Sequence, residues 1–392
     1  MKKKALNKFV FAILIFSFCG LSHAEILGMM NYESKTPEQL KSIKLGGDEV
    51  RKEGIAIVDL DPNSQNFGKI LSDIPVSPDN VLHHIFYDRT MKKAYITGLF
   101  EPWLQVMDMT KNPFRIKTID VVGCSYAENI IFDEANEYWY LTCMDTENLY
   151  VGKVQTDEII AEVKVPGTFP HGLGVHTGID RIIVTSTASG DLKRTDDVVS
   201  ILRKSDLKLL GQKKLSLKEG QSGEAPVEVL FVPNAEPPTA YVTNMFGATL
   251  WALVWDSMLE DFVTHQVFDF NDIKAGIAAE MYFNKAVDRF YVTTATPGHF
   301  HVFDISESLL EPKLIKSIPT AEGAHHVGLT KDGKYAFVQN SLLNLPGLSD
   351  GSVSIIDLKT NTYLKSMNTL KNLGFNPNSI VLLPEWNSFG GH

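Results

Sequence analysis

The residues of this chain best suited to chemistry are its paired imidazoles. His83-His84 stands in "NVLHHIFYDRTMKKAYITG" and His325-His326 in "GAHHVGLTKDGKYAFVQN". A fifth imidazole, His171, opens "HGLGVHTGIDRIIVTS". Each precedes an apolar run, a polar turn and a second apolar run. Neutral imidazole suits copper, zinc, iron and nickel, so five such rings gathered at one point would make a transition-metal site. Carboxylates occupy comparable places in similar stretches: Glu128 in "ENIIFDEANEYWYLTC", Glu228 in "EVLFVPNAEPPTAYVTN" and Glu280 in "AEMYFNKAVDRFYVTT". Beside imidazole ligands, glutamates orient the rings or carry protons.

The elements that must position these groups follow from the recurrence itself. Six copies of strand, tight turn and strand ending in a Tyr/Phe-Val-Thr-like run are followed by a degenerate seventh, "NSIVLLPE", near Asn378. Seven short antiparallel units at a spacing of roughly 40–55 residues predict an all-β fold, a seven-bladed β-propeller. A single blade cannot bury both its faces, so blades pack radially. The last copy is short of strands, and the N-terminal run "GIAIVDLD" from Gly54 to Asp61 is placed to complete it and close the ring. In such a ring the first strand of each unit lines a central channel. Its entrance positions are His83-His84, Glu128-Asn129, His171-Gly172, Glu228-Val229, Ala279-Glu280 and His325-His326, with Ser379 near the last. Adjacent residues of a straight strand point to opposite faces. One histidine of each pair therefore reaches the axis, unless the strand begins with a bend. His176 lies off this register and reads as structural; His299 and His301 read as a satisfied pair on a later strand; His392 is terminal.

Composition narrows the partners. "MKKKALNK", "FVFAILIFSF" and "LSHA" form the basic, apolar and cleavage regions of a signal peptide ending at Ala24. Residues 25–392 then form a single propeller domain in a periplasmic or secreted protein. A lipoprotein signal at Cys19 is the weaker alternative. The chain of 392 residues has a formal net charge of −10; the leader holds four lysines and no acids, so the remainder stands at −14. A chain this acidic, with no later Lys/Arg run, is not built for nucleic acid or an anionic membrane. A small-molecule substrate is expected, and the oligomeric state is left open. Cys124 and Cys143 flank one hairpin in a diagonal relation that does not favour an intrachain bond, although export permits one. Phosphate loops, nucleophile elbows and haem-attachment motifs are absent.

Four stretches resemble the selenium-binding protein / methanethiol oxidase family. They are "AIVDLDPNSQNFGKILSDIPVSPDNVLHH", "KLSLKEGQSGEAPVEVLFVPNAEPPTAYV", "AAEMYFNKAVDRFYVTTATPGHFHVFDIS" and "HHVGLTKDGKYAFVQNSLLNLPGLSDGSVSIIDL". The resemblance implies a seven-bladed propeller. In exported bacterial members it implies a copper-dependent oxidase converting methanethiol to formaldehyde, hydrogen sulfide and hydrogen peroxide. His83 and His84 match the family's paired copper histidines. The family's histidine-rich second-blade segment is replaced here by "CSYAENIIFD", and its Ala-His-Glu near the C-terminus has no counterpart. The sequence thus favours copper held by His83, His84, His171, His325 and His326, with Glu128, Glu228 or Glu280 taking a substrate proton. Two other classes stay open: a non-catalytic ligand- or protein-binding propeller, and a calcium-dependent lactonase-type hydrolase that uses the glutamates and Asn129 as hard ligands.

Overall fold

The structure is a computed structural model and describes residues 25–34, 52–165, 169–189, 192–220 and 222–389. Residues 1–24, where the sequence predicts a signal peptide, and His392 lie outside the described residues. The strands form seven four-stranded antiparallel sheets. Their inner strands are Leu82–Tyr87, Ala127–Phe132, Pro170–His176, Pro226–Phe231, Gly276–Phe283, Ala324–Leu329 and Phe375–Leu382, which we number as blades 1 to 7. Each inner strand packs on the next, and the seventh packs on the first, so the ring is closed.

Closure is made by the N-terminus. Inner strand Phe375–Leu382 pairs with Leu27–Ser34, which pairs with Glu53–Asp59, which pairs with Ile70–Val76. The anticipated strand at Gly54–Asp61 is therefore third in the closing blade, and an earlier strand joins it to the last one. That earlier strand, "LGMMNYES", has no β-branched residue, which is why propensity does not announce it.

The turn after an inner strand is set by its polar residue. Asp133 Oδ1 accepts from the backbone N–H of Glu137 and Tyr138; Asn284 Oδ1 accepts from Asp288 and Arg289; Thr330 Oγ1 accepts from Lys334 and Tyr335. In each of these turns one residue takes the left-handed conformation: Asn136 at φ 56, Val287 at φ 56 and Gly333 at φ 67. Val287 is the costly choice, since β-branched residues resist positive φ. The middle strands are buried on both faces, whereas outer strands such as Ile159–Lys164 alternate half-buried and exposed. Among the described residues no helix is long and apolar enough to cross a membrane.

Cys124 and Cys143 are disulfide-bonded, with Cα atoms 5.3 Å apart. This corrects the diagonal relation read from the sequence. Cys124 is not on a strand but in the turn before inner strand Ala127–Phe132, where its N–H bonds to Val121 O. Gly123 and Tyr126 both take positive φ there, which folds the turn back over the end of the second strand. A closed loop of this size stabilises a fold by about 3 kcal/mol. Replacing both cysteines with serine should lower the urea midpoint by a corresponding amount; an unchanged midpoint would show that the bond is not formed in the folded protein.

His301 is fully buried. Its Nε2 meets Thr294 Oγ1 and its Nδ1 meets Ser317 Oγ, both at 2.9 Å. Burial, with a smaller contribution from the neighbouring His299, pushes its pKa down to about 3. The unfolded ring takes up a proton near pH 6.5 and the folded one does not. Stability is therefore fully present above pH 6.5 and is lost as pH falls from there towards 3. The urea midpoint should fall more steeply over that window in the parent chain than in His301→Gln. Equal slopes would remove the assignment.

Candidate metal centre

Each of the first six inner strands begins with a bulge, and the bulge is what brings two consecutive side chains to the axis. The register skips two residues in every case: between Leu82 and Ile85, Ala127 and Ile130, Pro170 and Leu173, Pro226 and Val229, Ala278 and Met281, and Ala324 and Val327. Two residues facing one on the partner strand is the definition of such a bulge. The bend anticipated as the exception is the rule here, and both histidines of each pair turn inward. The bulge also corrects the register of blade 4, where the entrance residues are Val227-Glu228, not Glu228-Val229.

In five of these six blades the residue opposite the bulge holds it. Backbone N–H groups of His84, Asn129, Gly172 and Glu280 donate to Thr97, Thr142, Thr185 and Thr293 in their own blades, and His326 N–H donates to Gln339 Oε1. These side chains also reach forward. Thr142 donates to His171 O, Thr185 to Val227 O, Thr243 to Ala279 O, Gln339 to Pro377 O, and Asn31 to His83 O. The recurring threonine of the Tyr-Val-Thr run is thus a latch between blades. The same pattern places Pro377-Asn378 at the seventh entrance rather than Ser379, whose hydroxyl instead accepts from Ile85 N. Gly172 has no side chain for a reason: a Cβ there would stand 2.4 Å from Val227 O.

The side chains so presented fall into two halves. On one side, the donor atoms of His84, His325 and His326 lie within 4.8 Å of one another. Behind them stands Glu280, 3.4 Å from His325 Nε2 and 3.7 Å from His326 Nδ1. On the other side, His83, His84 and Glu128 form a second such group. Glu128 Oε2 is 2.9 Å from His83 Nε2 and 3.5 Å from His171 Nε2. His171 Nδ1 is 3.1 Å from Glu228 Oε1, and Glu228 Oε2 accepts from Asn129 Nδ2. His171 is therefore held between two carboxylates, its ring 6.2 Å from that of His84. His84 is central: its ring is stacked on His83 at 3.8 Å and lies 4.4 Å from His326.

Electrostatics follow this division. Burial, then the surrounding imidazoles of His83, His326, His325 and His171, hold His84 well below the ordinary histidine range, so it is neutral. Burial opposes the charge on His171, yet Glu128 and Glu228 outweigh it and raise the ring to about 9. Burial likewise opposes the charge of Glu128, but His83 and His171 hold it below the usual carboxylate range. Both ring nitrogens of His84 are buried without a hydrogen bond, as is Nδ1 of His325. Leaving such atoms unmade costs on the order of 1–3 kcal/mol each, a cost that a cation taking the one free lone pair of each neutral ring reduces. Neutral, buried, converging imidazole nitrogens are the donor set that a borderline or soft metal needs. No group of three carboxylates converges among the described residues, which is poor provision for calcium.

A cavity of about 60 Å³ opens above the ring, with His83, Glu128, His171 and His325 at its floor. That is several times the roughly 10–15 Å³ one water requires. Its walls are apolar and include Met144, Met245, Leu192 and Leu343. Leu192, from the blade 3 loop, meets Leu342 and Leu345 of the blade 6 loop in one apolar cluster. These wall residues carry no repeat signal and were not visible in the sequence; Asn129 was visible as an entrance residue and a candidate hard ligand, but not as a partner of Glu228. Inner-strand residues Tyr87, Ile131, Val175, Phe231 and Phe283 line a second cavity, and Phe389 lines it with them.

Neither sequence-family models nor curated proteins give a match. Solved structures do. A hypothetical selenium-binding protein from Sulfolobus tokodaii aligns over 94% of this chain and 93% of its own, at 12% identity and a TM-score of 0.69. A provisional 6-phosphogluconolactonase from Bacteroides fragilis aligns over 92% and 99%, at 12% identity and a TM-score of 0.62. Hydrazine synthase from Kuenenia stuttgartiensis aligns over 79% and 91%, at 11% identity and a TM-score of 0.56. Chains this far apart in sequence share architecture rather than chemistry, and what the likeness establishes is the fold, a seven-bladed β-propeller.

Proposed function

We propose that this chain is an exported, copper-binding propeller that oxidises a small thiol. The observation that carries the reading is His84, a buried imidazole with neither nitrogen hydrogen-bonded, inside a group of three imidazoles whose donors lie within 4.8 Å. His84, His325 and His326 would hold the metal, with Glu280 orienting the latter two. Copper supplies the electron transfer by which a thiol is oxidised at the expense of dioxygen. The choice of copper among imidazole-binding metals draws on the family resemblance of residues 54–360.

The chain's own residues do the rest. The apolar walls suit an uncharged substrate of few atoms, such as methanethiol, and exclude bulk water. Both ion-pair contacts of Glu128 use Oε2, so Oε1 is the oxygen that accepts the thiol proton. His171, held positive between Glu128 and Glu228, stabilises the thiolate at the cavity floor. The balanced reaction consumes methanethiol, dioxygen and water, and yields formaldehyde, hydrogen sulfide and hydrogen peroxide.

Protein isolated without chelators should contain near-stoichiometric copper by elemental analysis and should consume dioxygen when methanethiol is added. Calcium in place of copper would favour the hydrolase, and absence of any metal would favour a non-catalytic binding module; either result ends the oxidase reading. Glu128→Gln should lower turnover by about 100-fold or more, the usual contribution of a positioned base, with Glu128→Asp recovering part of it. Turnover unchanged in Glu128→Gln would remove the proton-accepting role.

A further inference from the structure

Among the described residues the donor groups number two, and they meet at one ring. His84 belongs both to the His84, His325, His326 group and to the His83, His84, Glu128 group. An imidazole has two nitrogens, and it serves two cations at once only by giving one nitrogen to each. In His84 both are buried and neither is engaged in a hydrogen bond. Nearly every buried polar atom of a folded protein has a partner, so a ring idle at both nitrogens is a specific observation.

Each half of the ring also carries its own buried carboxylate. Glu280 stands behind His325 and His326. Glu128 stands against His83 and His171, meeting both through Oε2. His171 is braced in turn by Glu228 and, through it, Asn129. A single cation beside His325 and His326 leaves the converging donor atoms of His83 and Glu128 without a metal to hold. Duplicated donors, duplicated carboxylates and one shared ring are the layout of a two-ion centre.

We infer that the channel holds two transition-metal ions, one on His325 and His326 and one on His83 and Glu128 Oε2, with His84 bridging them. With both nitrogens in use, the bridging ring releases its remaining N–H proton to solvent: two cations enter and one proton leaves that ring. Glu128 Oε1 is still available to the substrate. This inference rests on the metal-binding reading above and adds to it the number of ions and the residue they share.

The test is a titration of metal-free full-length protein with Cu²⁺, counting bound copper after desalting. Two ions per chain are expected. His83→Asn should retain one ion, and so should the double variant His325→Asn, His326→Asn; His84→Ala should retain neither at the copper concentration that saturates the parent. Circular dichroism checks that each variant is folded, with His83→Gln as the substitute should His83→Asn fail. One ion in the parent chain overturns the two-ion centre and leaves the metal-binding reading standing. No ion overturns both. Loss of both ions from folded His83→Asn or His83→Gln would also overturn it, because the halves would not then bind independently.

Discussion

Replacing His84 with alanine is expected to strip the chain of its metal. The affinity should fall by more than about 100-fold, the upper limit for removing a group that only orients a ligand. The reason is position. His84 is the one residue common to both donor groups, and its ring lies against those of His83 and His326. Nothing else in the channel can replace it, because Asn129, Gly172, Glu228 and Glu280 occupy the equivalent second position of blades 2 to 5, and Glu228 is already committed to His171 and Asn129. The measurement is competition against a chromogenic copper chelator, paired with thermal unfolding. A ligand present at 100 times its dissociation constant stabilises the folded state by about 2.7 kcal/mol. Copper should therefore raise the melting temperature of the parent and leave that of His84→Ala unmoved. A variant that keeps the parent's copper content and its copper-dependent melting shift would place the ion elsewhere.

Removing the strand Leu27–Ser34 is expected to abolish cooperative folding. A chain beginning at Lys52 leaves the inner strand Phe375–Leu382 and the strand Glu53–Asp59 without the ladder between them. It also deletes Met29 and Met30, both fully buried, and Tyr32, nearly so. Burying a side chain of this size contributes roughly 1.5–3 kcal/mol, so these three alone approach the 5–15 kcal/mol by which whole domains are stable. Asn31, which latches blade 7 to His83 O, goes with them. The comparison is between chains beginning at Glu25 and at Lys52, followed by urea unfolding and near-ultraviolet circular dichroism. A sharp transition at the same midpoint in the shorter chain would mean that the ring closes without this strand.

The fold was legible because its signal is local. Each strand–turn–strand copy repeats within its own stretch, and turn residues such as Asp133, Asn284 and Thr330 act within five positions of themselves. The polar entrance could be read by aligning those copies. The strand Leu27–Ser34 could not, since its identity comes from the partners on either side. The disulfide was misjudged for a related reason: its turn depends on positive φ at Gly123 and Tyr126, and the diagonal relation read from spacing took no account of that turn.

From residue order alone come the number of blades, the closure of the ring by the N-terminal region and the five imidazoles and three glutamates at its mouth. Spatial assembly alone decided that both histidines of a pair face inward, that Glu228 rather than Val229 is the second entrance residue of blade 4, and that His171 lies between two carboxylates while His84 joins two donor groups. The reason is that these outcomes depend on bulges held by side chains of the opposing strand and of the neighbouring blade. Contacts such as Asn31 to His83 or Asn129 to Glu228 join positions 52 and 99 residues apart, and no repeat pattern encodes a distance between two repeats.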